Sequence, residues 1–240
     1  MPLDDAVRKR PKRLDPERGL RAAAPHVPRY QIRIVPSPII CLVTAGRGRE
    51  QPLLDLIAEA AQAGVDLIQI RERRLDDRAL VNLTRRALEA TRGTSSRIVV
   101  NDRIDVALTA HASGVHLRAD SFGADRIRPL VPPGFLIGRS VHDAAEAAAV
   151  EAGGGCDYLL FGTVFPSTSK PPADPISGPE ALREVCASVS IPVLAIGGIS
   201  IDNVSQVAAS GAAGIAAISL FECGDPIAAT VSMLRRRFDT

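Results

Sequence analysis

At 240 residues the chain lies above the roughly 100–200 usual for one domain and within the range of an α/β barrel. Apolar residues make up 46% and aromatics only 3%, so Ala, Val, Ile and Leu do the packing; no apolar run reaches the about 18 residues of a membrane span. The net charge of +2 is unevenly placed, since residues 1–36 hold nine Lys/Arg against four Asp/Glu and leave the remainder mildly acidic.

That first stretch contains Arg8-Lys9-Arg10-Pro11-Lys12-Arg13 and further prolines at 16, 25, 28 and 36, without the apolar core of a secretory signal. Its composition suits a disordered, solvated extension, which is favoured over a nucleic-acid-binding arm. The globular part is expected over residues 37–240. Cys41, Cys156, Cys186 and Cys223 are scattered with no CxxC pair, and read as reduced core thiols of a cytoplasmic protein. A homo-oligomer is compatible with the sequence but is not specified by it.

From Ser37 onward, β-branched runs alternate with amphipathic, Ala-rich segments. The expected strands are Ile39–Thr44, Asp66–Ile70, Arg97–Val100, Gly114–Leu117, Phe135–Gly138, Tyr158–Phe161, Val193–Ile196 and Gly214–Ile218. The expected helices are Gln51–Ala63, Asp76–Thr91, Arg103–Ala110, Gly123–Leu130, Asp143–Ala152, Gly178–Ala187, Ile201–Ala209 and Pro226–Phe238. The strands are continuous apolar runs, as parallel strands covered on both faces should be. Gly64, Gly114 and Gly211 read as stops between a helix and the next strand. Eight strand–helix units predict a single closed (β/α)8 barrel, and no GxGxxG follows the first strand to favour an open dinucleotide-binding sheet.

In such a barrel the chemistry sits at the C-terminal strand ends. Alternation along Gln69-Ile70-Arg71-Glu72-Arg73 places Gln69, Arg71 and Arg73 on one face, and two guanidiniums there call for an anion. Asn101 and Asp102 follow the third strand; Asp102 is either a helix cap or a Mg²⁺ ligand. Ser140 and His142 follow the fifth strand, and His142 is the histidine assigned to proton transfer. His116, within a strand, reads as a core residue. Thr163 and the loop containing Ser167, Ser169 and Lys170 resemble a phosphate cradle. Gly197, Gly198, Ile218 and Ser219 form a second anion-binding set after strands seven and eight.

The pieces Gln69-Ile-Arg-Glu-Arg73, Asn101-Asp-Arg103, Gly114-Val-His-Leu117, Ile137-Gly-Arg-Ser-Val-His142, Phe161 through Lys170 and Ile191 through Ile199 resemble the thiamine-phosphate synthase superfamily, which includes a thiazole tautomerase. The synthase joins a pyrimidine methyl diphosphate to a thiazole phosphate with Mg²⁺. Gln69, Arg71, Asn101, Asp102 and Lys170 match its pattern. Arg73 replaces a lysine, and Ser121 stands where the synthase has a second Mg²⁺-binding Asp, with Asp120 one residue away as the candidate to help Asp102 hold the ion. The resemblance to the tautomerase, which needs no cofactor, accounts for Ser121 and gives His142 the proton. On these residues the tautomerase is placed ahead of the synthase, with a non-catalytic thiazole or thiamine phosphate binder as a third reading. The implied ligands are a phosphorylated thiazole and, for the synthase, a pyrimidine diphosphate; neither membrane nor nucleic acid is expected.

Overall fold

The computed structural model describes residues 38–46, 50–167, 175–222, 224 and 226–238. The basic extension expected over residues 1–36 lies outside the described residues, as do Ser169, Lys170 and Cys223.

Eight strands form the barrel: β1 (Ile39–Val43), β2 (Leu67–Ile70), β3 (Arg97–Asn101), β4 (Gly114–Leu117), β5 (Leu136–Val141), β6 (Tyr158–Phe161), β7 (Val193–Ile196) and β8 (Gly214–Ala217). Each is followed by a helix: α1 (Glu50–Gln62), α2 (Asp77–Ala90), α3 (Ile104–Ala110), α4 (Ala124–Ile127), α5 (Ala144–Gly153), α6 (Gly178–Ser188), α7 (Val204–Ala209) and α8 (Ile227–Phe238). All neighbouring strands pair in parallel, and β8 pairs back onto β1, so the sheet closes without an edge. This is the predicted single (β/α)8 barrel. No described helix is long and apolar enough to cross a membrane.

Burial explains why the strands read as continuous apolar runs. One set of side chains, including Cys41, Leu67, Val99, Leu136 and Leu194, fills the barrel interior. The alternate set, including Leu42, Ile68, Val100 and Ile137, packs beneath the helices. Cys41 is a core thiol as expected, and burial pushes its pKa up to about 12. Cys156 and Cys186 are free thiols but only partly buried.

Three local readings need correction. The fifth strand does not stop at Gly138 but runs on through Arg139, Ser140 and Val141, which pair with Leu159, Leu160 and Phe161. Polar side chains concealed that extension. The helical segment 123–130 is one short α4 turn followed by a 3-10 turn over Arg128–Leu130, because Pro129 has no N–H for an α-helical bond. Gly114 is not a helix stop. His111 terminates α3 in the left-handed region with φ 60°, and Gly114 serves packing, since a Cβ there would sit 2.3 Å from the Leu136 carbonyl oxygen.

Candidate active site

All eight strand ends contribute to one cavity of about 530 Å³ at the C-terminal mouth of the barrel. Gln69, Arg71, Arg73, Asn101, Asp120, Ser140, His142, Thr163, Ser167, Gly197, Gly198, Ile218 and Ser219 all line it. Asp102 does not line the cavity, although it borders the loop that does. Ser169 and Lys170 keep only their sequence-based expectation.

The segment after β2 alternates as expected. Gln69, Arg71 and Arg73 face the cavity, while Glu72 turns away and is buried. Glu72 accepts hydrogen bonds from Thr44 Oγ1 at 2.6 Å and the Gly46 amide at 3.1 Å, and Thr44 Oγ1 accepts from the Arg71 amide at 2.8 Å. This carboxylate therefore ties the end of β1 to the end of β2, a role that the sequence did not reveal. Burial lowers the Arg71 pKa, with the neighbouring Arg73 charge adding to the effect. Two close guanidiniums in a partly desolvated mouth are stabilised by a bound anion.

Neutral hydrogen-bonding groups line the cavity more deeply. Gln69 Nε2 donates to Asn101 Oδ1 at 2.9 Å, which leaves Gln69 Oε1 buried without a partner. Thr163 Oγ1 is likewise buried and unpartnered. Buried polar atoms are nearly always satisfied, so these two are suited to groups on a ligand. Gly197 and Gly198 have φ values of 101° and 63°, and a Cβ would sit 2.5 Å from Thr163 Cγ2 or 2.3 Å from the Pro166 carbonyl oxygen. Asn203 clamps the turn: its Nδ2 donates to the Gly198 carbonyl at 2.8 Å, and its Oδ1 accepts from the Ser200 amide at 2.8 Å.

His142 lies at the rim, directly after β5. Its Nδ1 is 3.1 Å from Glu146 Oε2, which also accepts from the His142 amide at 2.8 Å. Asp143 caps α5 by accepting from the Glu146 amide at 2.7 Å, so helix start and histidine are held together. This arrangement leaves Nε2 as the nitrogen available to a ligand.

His116 is both core and cavity lining, a double role that its position within a strand concealed. It is 2% exposed, with Nε2 3.0 Å from Ser140 Oγ and Nδ1 3.3 Å from the Tyr158 hydroxyl. Burial, aided by the Arg139 charge, lowers its pKa from 6.5 to about 3. A histidine held neutral in the fold binds protons more weakly than in the unfolded chain. Its contribution is therefore complete above about pH 6.5 and is lost progressively as pH falls toward 3. His116→Gln should remove that dependence. In urea unfolding, the stability difference between the native chain and the variant should shrink by about one proton's worth of slope below pH 6.5. A difference that stays constant from pH 7.5 to pH 5 would rule the account out.

The β4–α4 loop departs from what the sequence led us to expect. Asp102, with φ 58°, does not cap α3, whose N-cap is Arg103. Its Oδ1 accepts a short hydrogen bond from Ser121 Oγ, and its Oδ2 lies 3.7 Å from Arg118 Nη1. Asp120 is turned onto Arg118 Nη2 at 2.7 Å. Both carboxylates expected as metal ligands thus lie beside the Arg118 guanidinium.

Comparison with known proteins gives this cavity a context. Residues 40–221 match the family model described as thiamine monophosphate synthase. The chain belongs to that family. A thiamine-phosphate synthase from Methanoculleus marisnigri is 43% identical over 194 residues, covering 81% of this chain and 90% of that protein. One from Roseiflexus castenholzii is 38% identical over 194 residues, covering 80% and 85%. The solved thiamine phosphate pyrophosphorylase from Pyrococcus furiosus superposes with a TM-score of 0.72 at 32% identity, covering 85% of this chain and 96% of that one. These relatives carry synthase names, which favours the synthase over the tautomerase that the residue pattern placed first.

The thiamine monophosphate synthase resemblance implies Mg²⁺, which prefers carboxylate oxygens together with substrate phosphates. The donor set does not fit it. Asp102 accepts from Ser121 at Oδ1 and has the Arg118 cation 3.7 Å from Oδ2, and the neutral Ser121 hydroxyl stands where a second carboxylate would be needed.

Proposed function

We propose that this family member catalyses the synthase reaction. The nitrogen of a phosphorylated thiazole attacks the methylene carbon of a pyrimidine methyl diphosphate. A C–N bond forms as the C–O bond to the diphosphate breaks, and the bonding pair leaves with pyrophosphate. No proton needs to be consumed.

The observation that carries this reading is that two groups of residues suited to anions line one cavity. Arg71 and Arg73 lie at the end of β2, and Gly197, Gly198 and Ser219 at the ends of β7 and β8. In the proposed reaction the guanidiniums stabilise charge developing on the departing diphosphate. Backbone amides at the glycines hold the thiazole phosphate. Gln69, Asn101, Ser140 and Thr163 orient the two heterocycles, and Ile218 forms an apolar wall. Holding both reactants in one cavity turns an encounter in solution into reaction between neighbours. Identities of 36–43% to proteins named thiamine-phosphate synthase support the same reaction. On this reading the protein works in the cytoplasm on small phosphorylated molecules.

The tautomerase is the second reading, favoured by the His142–Glu146 pair at the rim. His142→Ala separates the two. A positioned acid/base contributes about 10²–10⁴-fold, so a tautomerase should lose activity on that scale. In the synthase, thiamine phosphate formation by His142→Ala should stay within a few-fold of the native chain. Tautomerisation of the thiazole carboxylate phosphate that collapses in the variant, with no thiamine phosphate made by either protein, would reverse the proposal.

A further inference from the structure

We propose that Arg118 is a tethered cation that takes the part of a divalent metal, so that diphosphate binding at this mouth is nearly independent of Mg²⁺. The identity of the anion rests on the synthase reading; the identity of the cation rests on the geometry of the β4–α4 loop.

That loop is firmly held. Arg139, on the outer face of β5, donates to the carbonyl oxygens of Ala119 at 2.6 Å, Ser121 at 3.1 Å and Phe122 at 2.9 Å. Ser121 Oγ accepts from the Arg118 amide at 3.0 Å and donates to Asp102 Oδ1. Side-chain and backbone contacts therefore fix the loop at both ends. Arg118 then lies between Asp120, 2.7 Å away, and Asp102, 3.7 Å away, while lining the same cavity as Arg71 and Arg73.

A guanidinium has five N–H donors in a planar fork. Asp120 accepts from Nη2 and Asp102 is an ion-pair neighbour 3.7 Å from Nη1, which leaves donors for phosphate oxygens. The carboxylates also offset the charge of Arg118 and restrict its orientation, so less side-chain entropy is lost when an anion binds. A divalent ion brought to Asp102 would sit close to a fixed positive charge and gain no ligand charge from Ser121. Like-charge repulsion and the missing carboxylate both oppose it.

The test is calorimetric titration of the full chain with inorganic pyrophosphate, in EDTA and in excess Mg²⁺. The native chain should bind with affinities within about threefold in the two conditions, and Mg²⁺ alone should give no binding heat. Arg118→Gln should weaken binding in EDTA about tenfold or more, the loss of a charge-assisted contact. Arg118→Lys should recover part of it, which an unfolded variant would not do. Arg118→Gln combined with Ser121→Asp should bind pyrophosphate well only with Mg²⁺. Native binding that requires Mg²⁺, or unchanged affinity in Arg118→Gln, would overturn the role of Arg118 and leave the synthase reading standing. No pyrophosphate binding in either condition would overturn both.

Discussion

Arg71→Ala should lower thiamine phosphate formation about 100-fold while leaving the fold intact. Removing one preorganised donor from a site of developing negative charge typically has an effect of 10²–10³-fold. Arg71 fits that description because burial and Arg73 both disfavour its charge, and the negative charge of a departing diphosphate offsets both effects. Its backbone is anchored separately through Thr44, and the adjacent Glu72 holds Thr44 and Gly46. Loss of the guanidinium should therefore leave the thermal unfolding midpoint within a few degrees of the native value, or raise it slightly. Arg71→Lys should restore part of the rate as a point charge without the bidentate fork. Activity within fivefold of the native chain would remove Arg71 from the reacting end of the cavity.

Gly138→Ala should be among the most damaging single changes to stability. Along neighbouring strands His116 pairs with Gly138, and Gly138 pairs with Tyr158. The missing side chain at 138 is the gap through which the Tyr158 ring crosses β5 to reach His116, with ring centroids 5.6 Å apart. A Cβ at 138 would sit 2.1 Å from Tyr158 Cζ. Tyr158 is fully buried, so it cannot swing into solvent, and overpacking of this kind costs about 1–3 kcal/mol and occasionally more. The upper end is expected here, because a displaced Tyr158 also breaks its contact with His116, which in turn holds Ser140. Urea unfolding should show a midpoint shift of about that size, with a further loss of substrate affinity through Ser140. A variant as stable as the native chain would show that the ring has another place to go.

The barrel was legible because its physical signals are long and repeated. Eight apolar runs, covered on both faces, alternate with amphipathic segments, and Gly64 and Gly211 adopt the positive φ expected of helix stops. The face shared by Gln69, Arg71 and Arg73 was legible for a similar reason, since strand alternation is purely local. What stayed hidden depends on partners far away in sequence. Arg139 and Ser140 look like loop residues until loop carbonyls and His116 are placed beside them, which is why β5 reads too short in the sequence. Glu72 looks like part of a solvated charge run until Thr44, 28 residues earlier, is placed beside it. Asp102 offers a cap or a metal ligand by type, and nothing near it in sequence reveals that Ser121 and Arg118 approach it. Pairing across the mouth is a property of the closed barrel, and no window of sequence contains it.

The central claim is that this cavity joins two phosphorylated heterocycles and expels pyrophosphate. It is tested most directly by incubating the full chain with hydroxymethylpyrimidine diphosphate and thiazole phosphate, with and without Mg²⁺, and quantifying thiamine phosphate and pyrophosphate together. The account predicts equal amounts of the two products over many turnovers. Binding of both substrates with neither product formed would contradict it and leave a non-catalytic binder.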